Sequence, residues 1–279
     1  MRKNIMIFLL MILSAFLLYP IFFIFVGSFM GGSEVHEYLE PIMTNSDQYS
    51  KLLFLPNEYT LKFYIELLFD TPEFFVMFWN SVKMVVLVVA GQLIVNIPAA
   101  WAFARYKFKF KRILFDLYII LMVMPFVVMM LPEYLVLKKL NMLDTTFALI
   151  IPGIFSTFSV FLVQYYFKKI PASLIELATL DGANDFKIFF LIGVPLAKPA
   201  IYTSIILNFI DYWGAIEQTL AFTESRKLWS LPIFLSNIKM SNASVAFVAS
   251  VFSMIPPLLV MMYGKEYLEK GLSSISWKE

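Results

Sequence analysis

The stretch Pro171–Pro199, PASLIELATLDGANDFKIFFLIGVPLAKP, decides how the rest of the chain is read. It is polar, turn-interrupted and helical in pattern, and it lies between two long apolar runs where a plain connection would be shorter. Pro171 suits the opening of a helix, because the first helical N–H has no intrahelical partner. Ser173 with Glu176 three residues later reads as a capping box. Gly182 is placed to stop that first short helix, since glycine adopts positive φ without steric cost. Asn184 then caps a second helix running towards Pro195 at the edge of the next apolar run.

Composition explains why such an element would be flanked by apolar runs. The chain has 279 residues, of which 60% are hydrophobic and only 15% charged, with a mean hydropathy of +0.78. A water-soluble domain carries far more charge. The net charge of +2 gives no case for a nucleic-acid partner, and the absence of cysteine removes disulfides, thiolate catalysis and cysteine-based zinc sites. One histidine, His36, does not build a metal site, which needs several converging ligands.

After Arg2-Lys3, residues Asn4 to Ser33 carry no charge. That run exceeds the apolar core of a cleavable signal peptide and suffices to cross about 30 Å of hydrocarbon. It is read as a retained first span, Ile5 to about Gly27, with a kink near Pro20. Residues 31–75 form an acidic extracytoplasmic segment (Glu34, Glu37, Glu40, Asp47, Glu58, Glu66, Asp70 and Glu73 against Lys51 and Lys62), with a short interfacial helix over Tyr64–Phe69. The remainder, 76–279, is the core membrane region with five further spans: about Phe75–Ala104, Ile113–Leu137, Thr145–Phe167, Leu196–Ile216 and Ala243–Tyr263. Pro152-Gly153 interrupts the fourth span, and Pro256-Pro257 predicts a kink or break in the sixth. The second span contains Gln92 and Asn96. Polar groups in hydrocarbon serve either as contacts between helices or as part of a translocation path.

Between spans two and three, Arg105–Arg112 holds five cations and no acid. Alternating cations and aromatics also suit single-stranded nucleic acid, but between two spans they mark a cytoplasmic loop with its rings at headgroup depth. With both termini inside, 14 of the 22 Lys and Arg residues fall on the cytoplasmic side and 8 outside, as the positive-inside rule requires.

The order Glu176, Ala178, Asp181, Gly182, Ala183, then Phe189 or Phe190, Pro195 and Pro199, resembles the EAA loop of bacterial ABC importer membrane subunits. Leu177 stands where that family usually has Ala. Gly271-Leu272 and the ending Trp277-Lys278-Glu279 are similar to the Gly-Leu...Val-Lys-Gly terminus of the maltose-type (MalG-like) carbohydrate permeases. So are Asn80-Ser81 and Ala102-Phe103-Ala104-Arg105, and the resemblance runs over about residues 60 to 279. It implies an all-α integral membrane protein with six transmembrane helices, a type I ABC importer permease fold and a cytoplasmic coupling helix. Glu176 would pair with a basic residue in a cleft of an ATPase subunit, Gly182 would permit the turn, and Ala178 and Ala183 would allow close approach. Gly271, Leu272 and Lys278 would belong to a tail reaching the ATPase pair. The implied partners are a second, MalF-like permease, two ABC ATPase subunits and an extracellular solute-binding protein. ATP and Mg would be used by the ATPases, and this chain would bind no cofactor itself.

No Ser-His-Asp set, metal constellation or phosphate-binding glycine loop is visible in the sequence, so no catalytic residues are expected and ATP hydrolysis belongs to other subunits. Charged residues cluster at span ends, whereas an ion-coupled carrier, the competing class, places them near the midplane. An importer for a non-sugar solute is the other alternative. Polar and aromatic residues Asn208, Asp211, Tyr212, Trp213, Glu217 and Gln218, at the outer end of the fifth span, suit a carbohydrate through ring faces and planar hydrogen-bonding groups. Interface-belt aromatics and helix packing are the other reading of the same residues. Trp213-Gly214 stands where many relatives carry Trp-Asn. Gln92, Asn96, Asn208, Asp211, Tyr212 and Trp213 are therefore the candidate substrate path.

Overall fold

The computed structural model describes residues 2–43, 55–239 and 242–276. Asp47, Lys51, Trp277, Lys278 and Glu279 lie outside the described residues, and Leu272 is described by its backbone alone. In chain order the main helices are α1 (Arg2–Gly27), α2 (Gly32–Met43), α3 (Pro72–Arg105), α4 (Lys111–Val123), α5 (Phe126–Lys139), α6 (Thr146–Ile154) and α7 (Thr157–Lys169). They continue with α8 (Ala172–Leu180), α9 (Asp185–Leu196), α10 (Lys198–Trp213), α11 (Glu217–Phe222), α12 (Leu231–Ser236) and α13 (Ala243–Ser276). Among the described residues the only β-type pairing is an isolated bridge between Met30 and Tyr59.

Four helical stretches are long and apolar enough to cross a membrane: Lys3–Gly27, Pro72–Arg105, Thr146–Lys169 and Ala243–Gly271. Two bent pairs raise the number to six when each pair is one span. The expected third span is one of these pairs. Helices α4 and α5 meet at Met124-Pro125 with a bend of 113°. The helical region is disfavoured for a residue before proline, and Met124 accordingly sits at φ −71°, ψ 129°. The fifth span turns by 70° at Ala197, between α9 and α10, and α10 starts at Lys198 and ends at Trp213, short of the expected Ile216.

The fourth span breaks at Phe155–Ser156, just after Pro152-Gly153, and the Ser156 hydroxyl caps α7 by accepting from the Ser159 N–H at 3.3 Å. In contrast, the break expected at Pro256-Pro257 is absent, because α13 runs unbroken through both residues. Proline holds φ near the helical value, so each forfeits a ladder donor without forcing the chain out of the helix. The interfacial helix expected over Tyr64–Phe69 is present as a short turn, Lys62–Ile65, followed by a wider π-turn over Glu66–Asp70.

The chain divides into two compact units, Met1–Phe78 with Leu231–Pro256, and Trp79–Ser230 with Pro257–Glu279. In the first, Val26, Met30 and Val35 form a small core backed by Phe23 and Phe247. Phe74 is buried in a ring of aromatics that includes Phe75, Phe234 and Phe252. Glu34 fastens the segment before Lys62, its Oε1 accepting from the Asn57 backbone N–H at 2.8 Å and side-chain amide at 3.0 Å.

In the second unit the core gathers Ala100, Trp101 and Phe103 of α3, Val160, Val163 and Phe167 of α7, and Ile188, Phe189, Ala197 and Ile201. Trp101 stands edge-on to Phe167 (5.0 Å between centroids) and to Phe189 (5.6 Å). The C-terminal half of α13 lies against α10 in this unit. Thr203 donates to the Tyr267 carbonyl at 2.9 Å, and Tyr166 donates to the carbonyls of Lys270 and Gly271 at 2.8 and 3.0 Å. Gly271 makes this approach possible, since an added Cβ would overlap the Thr203 hydroxyl and come within 3.2 Å of the Pro199 carbonyl. Gly271 is thus a buried helix-packing position within α13, which continues to Ser276 through much of the tail expected over 265–279.

Candidate functional site

The Pro171–Pro199 element is anchored from above by Arg105, the last residue of α3. One guanidinium nitrogen donates to the carbonyls of Phe167 and Ile170, both at 2.7 Å, and the group lies 5.5 Å from the Trp101 ring centre. A cation on these carbonyls answers the unpaired acceptors and the negative dipole at the end of α7. Pro171 follows with an extended backbone (φ −58°, ψ 138°) and is the N-cap of α8, so the helix starts at Ala172. Ser173 therefore falls in the second helical position, and the expected Ser173–Glu176 capping box does not form. The box requires the serine itself to be the extended N-cap residue, and Pro171 takes that place with no side-chain cap.

The other end of α8 follows the sequence reading. Gly182 has φ +80°, with the Gly182 N–H donating to the Thr179 carbonyl at 3.0 Å and the Ala183 N–H to the Ala178 carbonyl at 2.9 Å. These two bonds are the paired closure of a Schellman motif. Asn184 then caps α9, its Oδ1 accepting from the Lys187 N–H at 2.9 Å. Tyr106 donates to Asp185 at 3.2 Å; burial first, and this contact second, raise the tyrosine pKa above its ordinary value.

The two helices have unlike faces. Ile175, Ala178, Ala183, Ile188 and Phe189 pack on the core around Trp101. Glu176, Leu177, Leu180 and Asp181 face away from it, with Leu177 60% and Leu180 83% exposed. Glu176 has no ion-pair partner among the described residues. An apolar, acid-bearing surface on a capped helix is presented outward, while its alanines seat the helix on the core.

The candidate path residues divide into two groups. Gln92 is buried and donates to the Gly153 carbonyl at 2.7 Å, so its amide satisfies the acceptor beside the Pro152-Gly153 interruption. Asn96 is buried beside it, and both border a void of about 10 Å³. Trp213 is buried and stacked on Phe209 (5.8 Å, 8°), so its ring serves packing. Asn208, Asp211 and Tyr212 instead line a cavity of about 470 Å³, within the range of small-molecule sites. The cavity forms where the breaks at Met124-Pro125 and Phe155–Ser156 meet the end of α10 and α11, and Glu133, Ser156 and Gln218 also border it. Glu133 and Ser156 were not among the expected path residues. Pro125 was the available signal, because a break there turns α5 and carries Glu133 to the cavity. Among the described residues no group of acids and histidine is placed to hold a metal ion.

Residues 96–274 match the family model described as "Binding-protein-dependent transport system inner membrane component". The chain belongs to this family of transporter membrane subunits. It is 31% identical over 266 residues to the arabinooligosaccharides transport system permease protein AraQ of Bacillus subtilis (strain 168), covering 94% of this chain and 91% of that protein. It is 27% identical over 265 residues to the sn-glycerol-3-phosphate transport system permease protein UgpE of Brucella melitensis, covering 91% and 90%. In three dimensions it resembles a chain of a bacterial ABC transporter involved in the import of the acidic polysaccharide alginate. The TM-score is 0.80 at 24% identity, over 95% of this chain and 96% of that one. The fold is accordingly the all-α type I ABC importer permease fold, and the chain is a multi-pass membrane transport component rather than an enzyme.

Proposed function

We propose that this chain is one membrane subunit of an ATP-driven importer that carries a carbohydrate, an oligosaccharide, across the bacterial cytoplasmic membrane. The observation that carries this reading is the outward face of α8. A helix closed by the Gly182 Schellman turn and seated on the Trp101 core presents Glu176, Leu177 and Leu180 with no described partner. Exposed leucines on a rigid, capped element between spans suit a protein partner, and the family supplies its kind. One of two ATPase subunits, which bind ATP and Mg, docks there, with Glu176 meeting a basic residue and Asp181 and Gly182 shaping the turn; the other docks on the second permease. Their closure tilts α7 and α10 through α8 and α9, a rigid-body change biased by nucleotide.

The remaining parts follow the same reading. A second, MalF-like permease completes the path and a solute-binding protein delivers the sugar from outside. Both termini lie in the cytoplasm, as the distribution of Lys and Arg supports. The tail from Leu272, including Lys278, is a second contact with the ATPase pair, whereas Gly271 serves packing. Asn208, Asp211 and Tyr212 line the route of the solute, while Gln92, Asn96 and Trp213 hold the helices. The similarity to the arabinooligosaccharide permease protein supports the carbohydrate class.

The test is a pull-down of the tagged protein from detergent-solubilised native membranes, comparing wild type with Glu176→Arg and Leu180→Asp. The wild type should bring down an ATPase and a second permease, and each variant should lose the ATPase while keeping the second permease. The same partners in all three samples would refute docking at α8.

A further inference from the structure

The groups bordering the 470 Å³ cavity carry an unequal set of charges and hydrogen-bonding roles. Glu133 and Asp211 both line it, and no lysine, arginine or histidine does. Several of the donors there are already engaged. The Asn208 amide donates to the Ser159 hydroxyl at 3.0 Å and to the Ser204 carbonyl at 2.6 Å. The Ser156 hydroxyl donates to Asn208 Oδ1 at 3.3 Å, and the Tyr212 hydroxyl to the Gly153 carbonyl at 3.4 Å. Open acceptor capacity remains in two carboxylates and in Gln218 Oε1, which is buried without a hydrogen-bond partner. A buried acceptor left unpaired carries a desolvation penalty that a donating ligand removes.

We propose that this cavity is a solute subsite selective for neutral, hydroxyl-rich glycosides, and that it rejects anionic sugars and phosphate esters. Sugar hydroxyls can donate to Glu133, Asp211 and Gln218, while Phe126, Phe155 and Phe158 supply apolar surface for the ring carbons. A phosphate or uronate would find no cation in the lining and would be set against two carboxylates. Specificity of this kind comes from unpaired charge set against the wrong ligand as much as from contacts to the right one. In this respect the chain differs in chemistry from what the names of two similar proteins indicate, one for sn-glycerol-3-phosphate and one for the acidic polysaccharide alginate.

This inference rests on the importer reading, and its test keeps the two separable. The complete complex is purified without its solute-binding protein, so that selection by the binding protein does not intervene. Binding is measured by calorimetry with a panel of neutral trisaccharides (arabinotriose, maltotriose, xylotriose) and with trigalacturonate and sn-glycerol 3-phosphate. At least one neutral trisaccharide should bind at least tenfold more tightly than either anion. The Glu133→Gln, Asp211→Asn double variant should narrow that ratio at least fivefold while still co-purifying with the ATPase. Equal or tighter binding of an anion, no binding by any neutral probe, or an unchanged ratio in the double variant would each overturn the proposal. Loss of the ATPase from the wild-type preparation would instead count against the importer reading itself.

Discussion

Replacing Gly182 by alanine isolates the backbone geometry of the turn that closes α8. At φ +80° a side chain meets strain whatever the space, and here the space is open, since no heavy atom lies within 4 Å of an added Cβ. The cost is therefore conformational. The left-handed region costs an L-residue about 1–2 kcal/mol, and the reduced freedom of the unfolded chain returns about 0.4–1 kcal/mol. The net is about 1 kcal/mol, or roughly a fivefold increase in the open form of the turn, taking 1.4 kcal/mol per factor of ten. Gly182→Asn should cost less, because asparagine tolerates this region. Gly182→Pro should cost more than about 3 kcal/mol, since its φ is incompatible and the donor to the Thr179 carbonyl is lost. Amide exchange of residue 183, whose N–H bonds the Ala178 carbonyl, reads the opening directly, and solute uptake in cells reads its consequence. Exchange should rise in the order Gly, Asn, Ala, Pro, with uptake falling in the same order. Equal exchange in Gly and Ala, or an Asn variant worse than Ala, would refute the argument that the left-handed turn holds the element.

Gly271→Ala should lower stability by about 2 kcal/mol, the range for overpacking a tight contact, seen as a lower thermal midpoint in detergent. Thr203→Ala should recover part of that loss in the double variant, because Thr203 is the side chain an added Cβ would strike. Arg105→Ala removes two charge-assisted bonds at 2.7 Å and should cost about 1.5–3 kcal/mol. Arg105→Lys should restore only part, for want of the planar fork, with unfolding in detergent as the measurement. Asp144 accepts from the Ser225 hydroxyl and from the backbone N–H groups of Ser225 and Glu224, and these bonds hold its carboxyl below the ordinary 3.8. A depressed pKa means the contact is fully stabilising above about pH 4 and is lost as pH falls through the lowered value. Exchange of the Glu224 and Ser225 amides should be flat from pH 7 to 5 after correction for intrinsic rates, and Asn at 144 should raise it at every pH.

Much of this protein was legible in its residues because the relevant physics is local. Thirty uncharged residues after Arg2-Lys3 dictate a membrane-length helix, and α1 forms accordingly. Gly182 and Asn184 determined where α8 stops and α9 starts, because a left-handed glycine and an asparagine cap act within a few residues of themselves. The same local rule was available at Met124-Pro125, where the apolar run on both sides concealed a break that the proline imposes. Pro256-Pro257 carried the opposite lesson, because the same residue type left α13 continuous. What became of the freed backbone groups depended on neighbours distant in sequence, as Gln92 reaching the Gly153 carbonyl illustrates.

By itself the sequence determined the order of the apolar helices and the Gly182–Asn184 turn in the element between the fourth and fifth expected spans, since hydropathy and capping are properties of short stretches. Only the tertiary structure decided the division of polar labour. Gln92 and Trp213 became packing groups, while Asp211, Tyr212 and Glu133 came to one cavity. The physical reason is that a side chain's role in an apolar medium is set by which partner it reaches. That depends on how broken helices are turned against each other, which no local pattern encodes.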